Sequence, residues 1–514
     1  MAKDHSEHLY ALIKSLSKSE KRYFKIKYKS DQGSDSKYLR LFDEIDKAQE
    51  FDEKELIQTN TWINPAQFSN LKAHLYRRLL QSLKEYSSAS HEDITIREQI
   101  DHIQLLYERS LYHQSMQLLQ KVKKSIRKSD NLELQLEILK WEKNLLPYSL
   151  GKNSWNRLRQ IIDETNIVNE RISRINLLTN ISVELNTIYL KHGYVRNKTD
   201  FDDVTLIFSK RLPTWSESEL SFRERLLWYE IHHGYYSFIQ DFELMYEFAK
   251  KWVALFPTTP NSSYYFEMYI RGINQVLNAQ ARLMKHDEFL QTHRVLRSLV
   301  THRMIKLNEN LQIRLFKYNY AHQFNEYFMT GDFEKGVTLF RRIAPQMDEY
   351  IVLLDNHSQL IMFYKIACLF FGNGDYGDAL IWLNRIINSE DQDIREDIHS
   401  FTRIVNLITH YELGNRDVIE YYVRSTYRFL HKKEDLHQFQ QFILDFIKNL
   451  SRDITETELI DRFKGLRENL LPLTISKYEK RAFVYFDMIA WLDSKIHKKS
   501  VESIIKDRML VAVV

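Results

Sequence analysis

Apolar positions return every three or four residues along most of this 514-residue chain, the spacing that places them on one face of a helix. Phe68, Leu71, Leu75, Leu79 and Leu83 form one such stripe. Asn64, Pro65 and Gln67 supply an N-cap, a first-turn proline and a polar third position ahead of it, so a helix is predicted over 66–86. Further helices are predicted over 5–16, 37–50 and 52–60. Another restarts at Ser17, where Ser17 and Glu20 stand at capping-box separation. Ser30 to Ser36 reads as a loop and Ser87 to Asp93 as a linker, after which Thr95 and Glu98 open the next helix.

Beyond residue 95 a longer period takes over. An aromatic residue opens the second helix of each pair, with a smaller or apolar residue seven positions on. The anchors are Tyr112, Trp155, Phe201, Phe242, Phe289, Phe333 and Tyr376, spaced 41 to 47 residues apart. Their +7 partners are Leu119, Ile162, Phe208, Ala249, Leu296, Phe340 and Leu383. An eighth copy follows Gly414, with Arg416 in the aromatic position, and a fainter ninth lies near Leu459. One helical hairpin cannot bury its apolar face alone, so such units stack and share a core. Glycine at the inter-helix turn allows the positive φ that ends the first helix. The expected organisation is an N-terminal helical module over 1–90 and an all-α array of hairpins over 91–514.

Composition agrees with that reading. Glycine (12) and proline (7) fall far below their usual shares of roughly 7% and 5%, which leaves little material for turn-rich folds. Thirty tyrosines and 29 phenylalanines suit broad contacts between stacked helices. A net charge of +4 neither requires nor excludes nucleic acid. The single Cys368, flanked by apolar residues from Ile366 to Phe371, is expected to be a buried structural thiol in a reducing compartment. No apolar run approaches the ~20 residues of a membrane span, and Met1-Ala2-Lys3-Asp4 opens no signal peptide. A cytoplasmic location is expected.

The best copy reads Phe363, Ala367, Phe370, Gly374-Asp375-Tyr376, Ala379, Leu383 and Ile386. The next reads Tyr320, Tyr327, Gly331-Asp332-Phe333, Gly336, Phe340 and Ile343, with Phe324 at the small-residue position. These residues resemble the tetratricopeptide repeat superfamily, best over about 310–430, with a longer period than that family's 34 residues and no closing proline. Leu16 to Phe24 and Trp491 to Lys495 are also similar to an uncharacterised bacterial helical family, a resemblance that implies no function. The tetratricopeptide resemblance implies a right-handed superhelical solenoid whose first helices line a concave groove for peptides or partner helices. Carried over by register, the groove positions are Glu230, Asn274, Tyr318, Asn325, Tyr364 and Tyr411. Among these, the Asn325 amide would hydrogen-bond a peptide backbone whatever its sequence.

Other chemistry finds less support. His-Glu-x-x-His is absent, no histidine and carboxylate cluster has metal-ligand spacing, and no phosphate-binding glycine loop or nucleophile elbow occurs. Gly372-Asn373-Gly374 lies at an inter-helix turn with no strand before it. Asp202-Asp203 and Asp391/Asp393 sit where helices begin and favour the helix dipole. The chain is expected to be no enzyme and to need no metal or cofactor. A basic stretch interleaved with Tyr23, Phe24 and Tyr28 offers Lys21, Arg22 and Lys25, and the 66–86 helix adds Lys72, Arg77 and Arg78. With the 52–60 helix this reads either as a solvated cap or as a helix-turn-helix able to contact nucleic acid, although its turn is long and no β-wing follows. The expected function is non-catalytic binding of a protein or peptide on the concave face. The alternative is a transcription regulator with a DNA-binding N-terminal module and a sensor solenoid.

Overall fold

The computed structural model describes residues 2–32, 37–48, 52–88, 92–126, 131–149, 154–259, 263–306, 308–389, 392–433, 435–450 and 455–512. All regular structure among them is helical. Two compact units emerge, residues 1–173 and 174–514. The first contains α1 (Ala2–Ser15), α2 (Lys18–Gln32), α3 (Lys37–Lys47), α4 (Glu53–Thr59), α5 (Phe68–Ser88), α6 (Glu92–Glu108), α7 (Tyr112–Ile126) and α8 (Leu132–Leu145). Helix α9 (Ser154–His192) begins in the first unit and ends in the second.

The second unit continues with α10 (Lys198–Arg211), α11 (Phe222–Phe238), α12 (Phe242–Ala254), α13 (Ser263–Arg282) and α14 (His286–Ser298). Then come α15 (Arg303–Lys306), α16 (Glu309–Thr330), α17 (Phe333–Ile351), α18 (Asn356–Asn373), α19 (Tyr376–Ile387) and α20 (Glu396–Glu412). It ends with α21 (Arg416–Lys432), α22 (Gln438–Lys448), α23 (Glu456–Leu470), α24 (Ala482–Tyr485), α25 (Met488–His497) and α26 (Val501–Ala512).

In the first unit the Ser17–Glu20 capping box forms as expected: the Ser17 amide donates to Glu20 Oε2 at 2.8 Å and the Glu20 amide to Ser17 Oγ at 3.3 Å. Asn64 caps a 3-10 turn, Pro65–Gln67, that leads into α5. Two separate hydrophobic clusters lie on either side of residue 90, one from Leu9 to Leu79 and one from Ile96 to Leu145. The loop expected over Ser30–Ser36 and the linker expected over Ser87–Asp93 are in part helical, since α2 runs to Gln32, α5 to Ser88 and α6 starts at Glu92; residues 33–36, 89–91 and Asp391 lie outside the described residues.

Helices of the second unit pack mostly in sequence order, α11 on α12, α12 on α13, and so on through α20 to α23. The first helices of successive pairs also touch, α13 with α16, α16 with α18 and α18 with α20, and form an inner row. Helices α12, α17, α19 and α21 start at Phe242, Phe333, Tyr376 and Arg416, the positions that the repeat marks. Buried +7 residues Leu119, Ala249, Leu296, Phe340 and Leu383 follow. Gly331, Gly374 and Gly414 take the left-handed conformation. Ser110, Gln240 and Met284 take it too, each two residues before a helix start, so the turn geometry persists where the glycine does not.

Three anchors depart from expectation. Phe201 enters three residues after Lys198, the start of α10. Trp155 is 76% exposed and Ile162 43%, and both lie on the 39-residue α9, which runs unbroken where a hairpin was expected. Phe289 is buried but enters three residues after His286, the start of α14.

The array of the second unit also closes on itself. The Arg395 amide donates to the Leu190 carbonyl at 2.7 Å, His192 Nδ1 meets Glu396 at 3.1 Å, and Lys480 Nζ donates to the Gln240 carbonyl at 3.0 Å. Arg282 Nη1 donates to the Val484 carbonyl at 2.6 Å, and α26 lies against α16 and α18. Helix α26 carries the chain as far as Ala512; residues 513–514 lie outside the described residues.

Candidate ligand chamber

Closure leaves a partly open cavity of about 1340 Å³ within the second unit, lined by residues of α9, α11, α12, the inner-row helices and the segment from Lys480 to Met509. Three of the six groove positions, Glu230, Asn325 and Tyr364, meet on its wall. The other three do not line it. Tyr318 is buried in the α13–α14–α16 core. Asn274 is tied to His322, and Tyr411 packs beside Phe463 and Trp491 at ring separations of 6.2 and 6.4 Å.

Asn325 does a different job from the one expected. Lys365 Nζ donates to Asn325 Oδ1, which leaves Nδ2 to donate to His322 Nδ1 at 3.2 Å. The neutral His322 ring then carries its proton on Nε2 and donates to Asn274 Oδ1 at 2.9 Å. Burial, aided by the His293 and Lys365 charges, holds His322 well below its ordinary pKa and keeps it neutral. A one-way chain therefore runs from α18 through α16 to α13. It fixes a lysine ammonium at the cavity wall, and Asn325 positions that lysine before it can serve a peptide.

Lys365 itself is half-buried and lines the cavity. Burial and the neighbouring Arg282 guanidinium bring its pKa from 10.5 to about 7, against a smaller upward pull from Cys368. Nearby, Glu230 pairs with Arg271. Asp487 pairs with Arg508 at 3.0 Å and accepts the Ala490 amide at 2.8 Å. Arg395 is held by Asp397 through bonds of 2.9 and 2.8 Å. Lys365 and Arg282, by contrast, have neutral oxygens as their bonding partners.

Several uncharged polar atoms on the wall also lack partners. His233 Nε2, Trp252 Nε1 and the Tyr364 hydroxyl are buried and make no hydrogen bond of normal geometry; the Tyr364 hydroxyl rests beside the Cys368 sulfur. Burial brings His233 to about 3, so its ring is neutral. These atoms are inaccessible to water, so they sit behind the cavity surface and do not face it. Cys368 is the buried thiol expected, pushed up to about 12 by burial and hence an unreactive neutral –SH.

Lys365 and Arg282 were not among the sequence candidates. A lone lysine inside the apolar run Ile361 to Phe371 is the signal that could have found it, since a charge on such a helix needs a wet or charged neighbour. The pairing with Arg282 has no sequence signal.

Four of the six basic candidates in the first unit have partners within it. Lys21 bridges to Asp46 at 2.7 Å and Lys25 to Asp43 at 2.6 Å. Lys72 is 5% exposed and bonds Glu53 at 2.7 Å, while Arg78 lies over the Tyr28 and Tyr38 rings at 5.1 and 4.3 Å. Arg22 and Arg77 are exposed.

Among the described residues, no group of three or more His, Cys, Asp or Glu side chains is placed to hold a metal ion, and no helix is long and apolar enough to cross a membrane. No protein-family model and no curated protein matches the chain.

Proposed function

We propose that this chain is a non-catalytic binding protein, a divergent tetratricopeptide-like array, whose second unit takes a peptide segment into a partly open chamber. The observation that carries the reading is the convergence of Glu230, Asn325 and Tyr364 on one cavity inside a helical array that closes on itself. An open concave groove would suit a long extended peptide; a deep, partly open chamber suits a short segment or a chain end. Wall groups with shifted pKa values are accounted for by burial and their ion pairs, and a nucleophile with an adjacent base is not assembled from them. Charge pairing within the first unit speaks against a phosphate-facing stripe there, so the DNA-binding regulator is the weaker reading.

Gly234 gives the test. It lines the cavity from α11, and a Cβ built on it meets nothing within 4 Å. Gly234→Phe should therefore place a ring against this part of the chamber and narrow it, and leave stability within roughly 1 kcal/mol, since glycine is a poor helix former. Whatever co-purifies with the wild-type chain at close to one copy per molecule should be missing from this variant, as read by mass spectrometry after denaturation. Retention of the same species by Gly234→Phe would reject the chamber as the binding site.

A further inference from the structure

We infer that the segment from Leu471 to Asp487 is a gate that widens the mouth of this chamber, hinged on the α20–α22 side and latched on the α11–α13 side. The inference concerns access to the chamber and rests on the reading of it as a ligand site.

The segment joins α23 to α25 through two 3-10 turns, Leu471–Ile475 and Glu479–Arg481, and the four-residue α24. Thr474, Lys480, Phe483 and Tyr485 line the cavity, so the segment is part of its wall. With no long helix of its own, it is held in place by what each of its edges touches.

On the α20–α22 side the contacts are buried. Arg481 pairs with Asp435, at 2% and 1% exposure, and Leu473 and Ala482 belong to the largest hydrophobic cluster of this unit. Phe483 meets the Phe439 ring edge-on at 5.4 Å, and Tyr485 stacks on Phe401 at 4.5 Å. The Glu479 carboxylate accepts the Gln438 and Phe439 amides at 3.0 and 3.2 Å and so caps the start of α22. Apolar burial, a buried ion pair and a helix cap bind this edge to the array.

On the other side the contacts are fewer and made by single side chains. Lys480 Nζ reaches the Gln240 carbonyl at 3.0 Å, in the turn between α11 and α12. Arg282, exposed at the end of α13, reaches the Val484 carbonyl at 2.6 Å. The exposed Lys477 lies over the Phe201 ring of α10 at 3.5 Å, and half-buried Tyr478 packs at the edge of the cluster that runs from Leu178 to Phe256. Water competes for each of these cations, so the latch is held by little net free energy.

The other seam of the closed array is of the buried kind. The Arg395 amide bonds the Leu190 carbonyl, and the Asp397 carboxylate beside Gly193 accepts from both Arg395 and Tyr485. The Tyr194 ring lies 5.9 Å from that of Tyr485 on the same seam. Release at Gln240 and Arg282 therefore parts the segment from α11–α13 and leaves the α9–α20 seam joined. Local opening follows the boundary with the fewest buried contacts, and a wall segment that moves there admits a ligand.

The test compares the full-length wild type with the Lys480→Gln/Arg282→Gln double variant by hydrogen exchange and by labelling of Cys368 with bulky pyrene maleimide. Cys368 is the chain's only cysteine, lines the cavity and is 8% exposed, so it reports entry to the chamber with no ligand present. Amides from 474 to 485 should exchange roughly tenfold faster in the variant, the scale set by losing charged hydrogen bonds, and Cys368 should label faster in proportion. The Arg395 amide should keep its protection, and the urea midpoint should not move. Unchanged exchange over 474–485 would overturn the latch. Equal acceleration at Arg395, or a fall in the urea midpoint that accounts for the faster labelling, would overturn the hinge. Faster exchange without faster labelling would show that the segment does not govern access, and would overturn the gate. No peptide takes part, so a chamber that bound none would leave these results as they are.

Discussion

Gly193→Ala is expected to destabilise the 174–514 unit by roughly 3–5 kcal/mol, the sum of a left-handed backbone penalty and the disruption of a buried charge pair. Gly193 ends α9 at φ +76°, and a Cβ there would overlap the Asp397 carboxylate. That carboxylate cannot step aside. It accepts two bonds from Arg395, at 2.9 and 2.8 Å, and another from the Tyr485 hydroxyl, and both members of the ion pair are nearly inaccessible. Arg395 is itself left-handed at φ 54°, and its amide bonds the Leu190 carbonyl. The cluster thus joins the end of α9 to the start of α20 and to α24, and it is one of the contacts that close the array. Urea unfolding followed by circular dichroism should show the midpoint of this unit fall sharply. An unchanged midpoint would mean that closure at Asp397 contributes little.

Lys365→Met should stabilise the unit at pH 6 by roughly 2–4 kcal/mol, allowing for water in the cavity, and the gain should vanish by about pH 10. The sign follows from the depressed pKa. Above about 7 the folded state has released the Lys365 proton, whereas the unfolded chain holds it until about 10.5. Between those values the unfolded state binds more protons, so wild-type stability rises with pH through that window. Below 7 both states are charged, and the folded one bears the full cost of an ammonium facing Arg282 from α13 and enclosed by neutral His322 of α16 and neutral Tyr364 and Cys368 of its own helix. Thermal unfolding of both proteins across pH 6–10 measures the difference. A constant difference would show that Lys365 titrates like an ordinary surface lysine. Retention of a residue that destabilises the folded chain near neutrality is what a binding site would require.

Local structure was legible where a residue type has a strong physical preference. Ser17 with Glu20 announces a capping box because side chain and backbone bond reciprocally, and both bonds form. Gly331, Gly374 and Gly414 mark turns because glycine tolerates positive φ. The same conformation at Ser110, Gln240 and Met284 was not legible, since those residue types carry no such preference; local backbone bonds close these turns, from the Leu111, Asp241 and Lys285 amides to the Leu106, Tyr236 and Gln280 carbonyls. Trp155 misled for the opposite reason. An aromatic at the right interval fits the repeat on paper, but α9 stays continuous past it and leaves it exposed.

The chamber was half legible. Register arithmetic brought Glu230, Asn325 and Tyr364 to one wall, because the inner row of first helices keeps a helical period. It missed Lys365, one residue beyond Tyr364, and everything that depends on closure. Contacts such as Arg395 with Leu190 join segments some 200 residues apart and leave no periodic trace in the chain. The third wall, from Lys480 to Met509, lies outside the best repeats altogether.

The most direct test of the account is a display selection of random peptides on the full-length protein, run in parallel on wild type and Gly234→Phe. A chamber that binds a peptide segment predicts a shared motif enriched by wild type and absent with the narrowed variant. No motif with either protein, or the same motif with both, would contradict it.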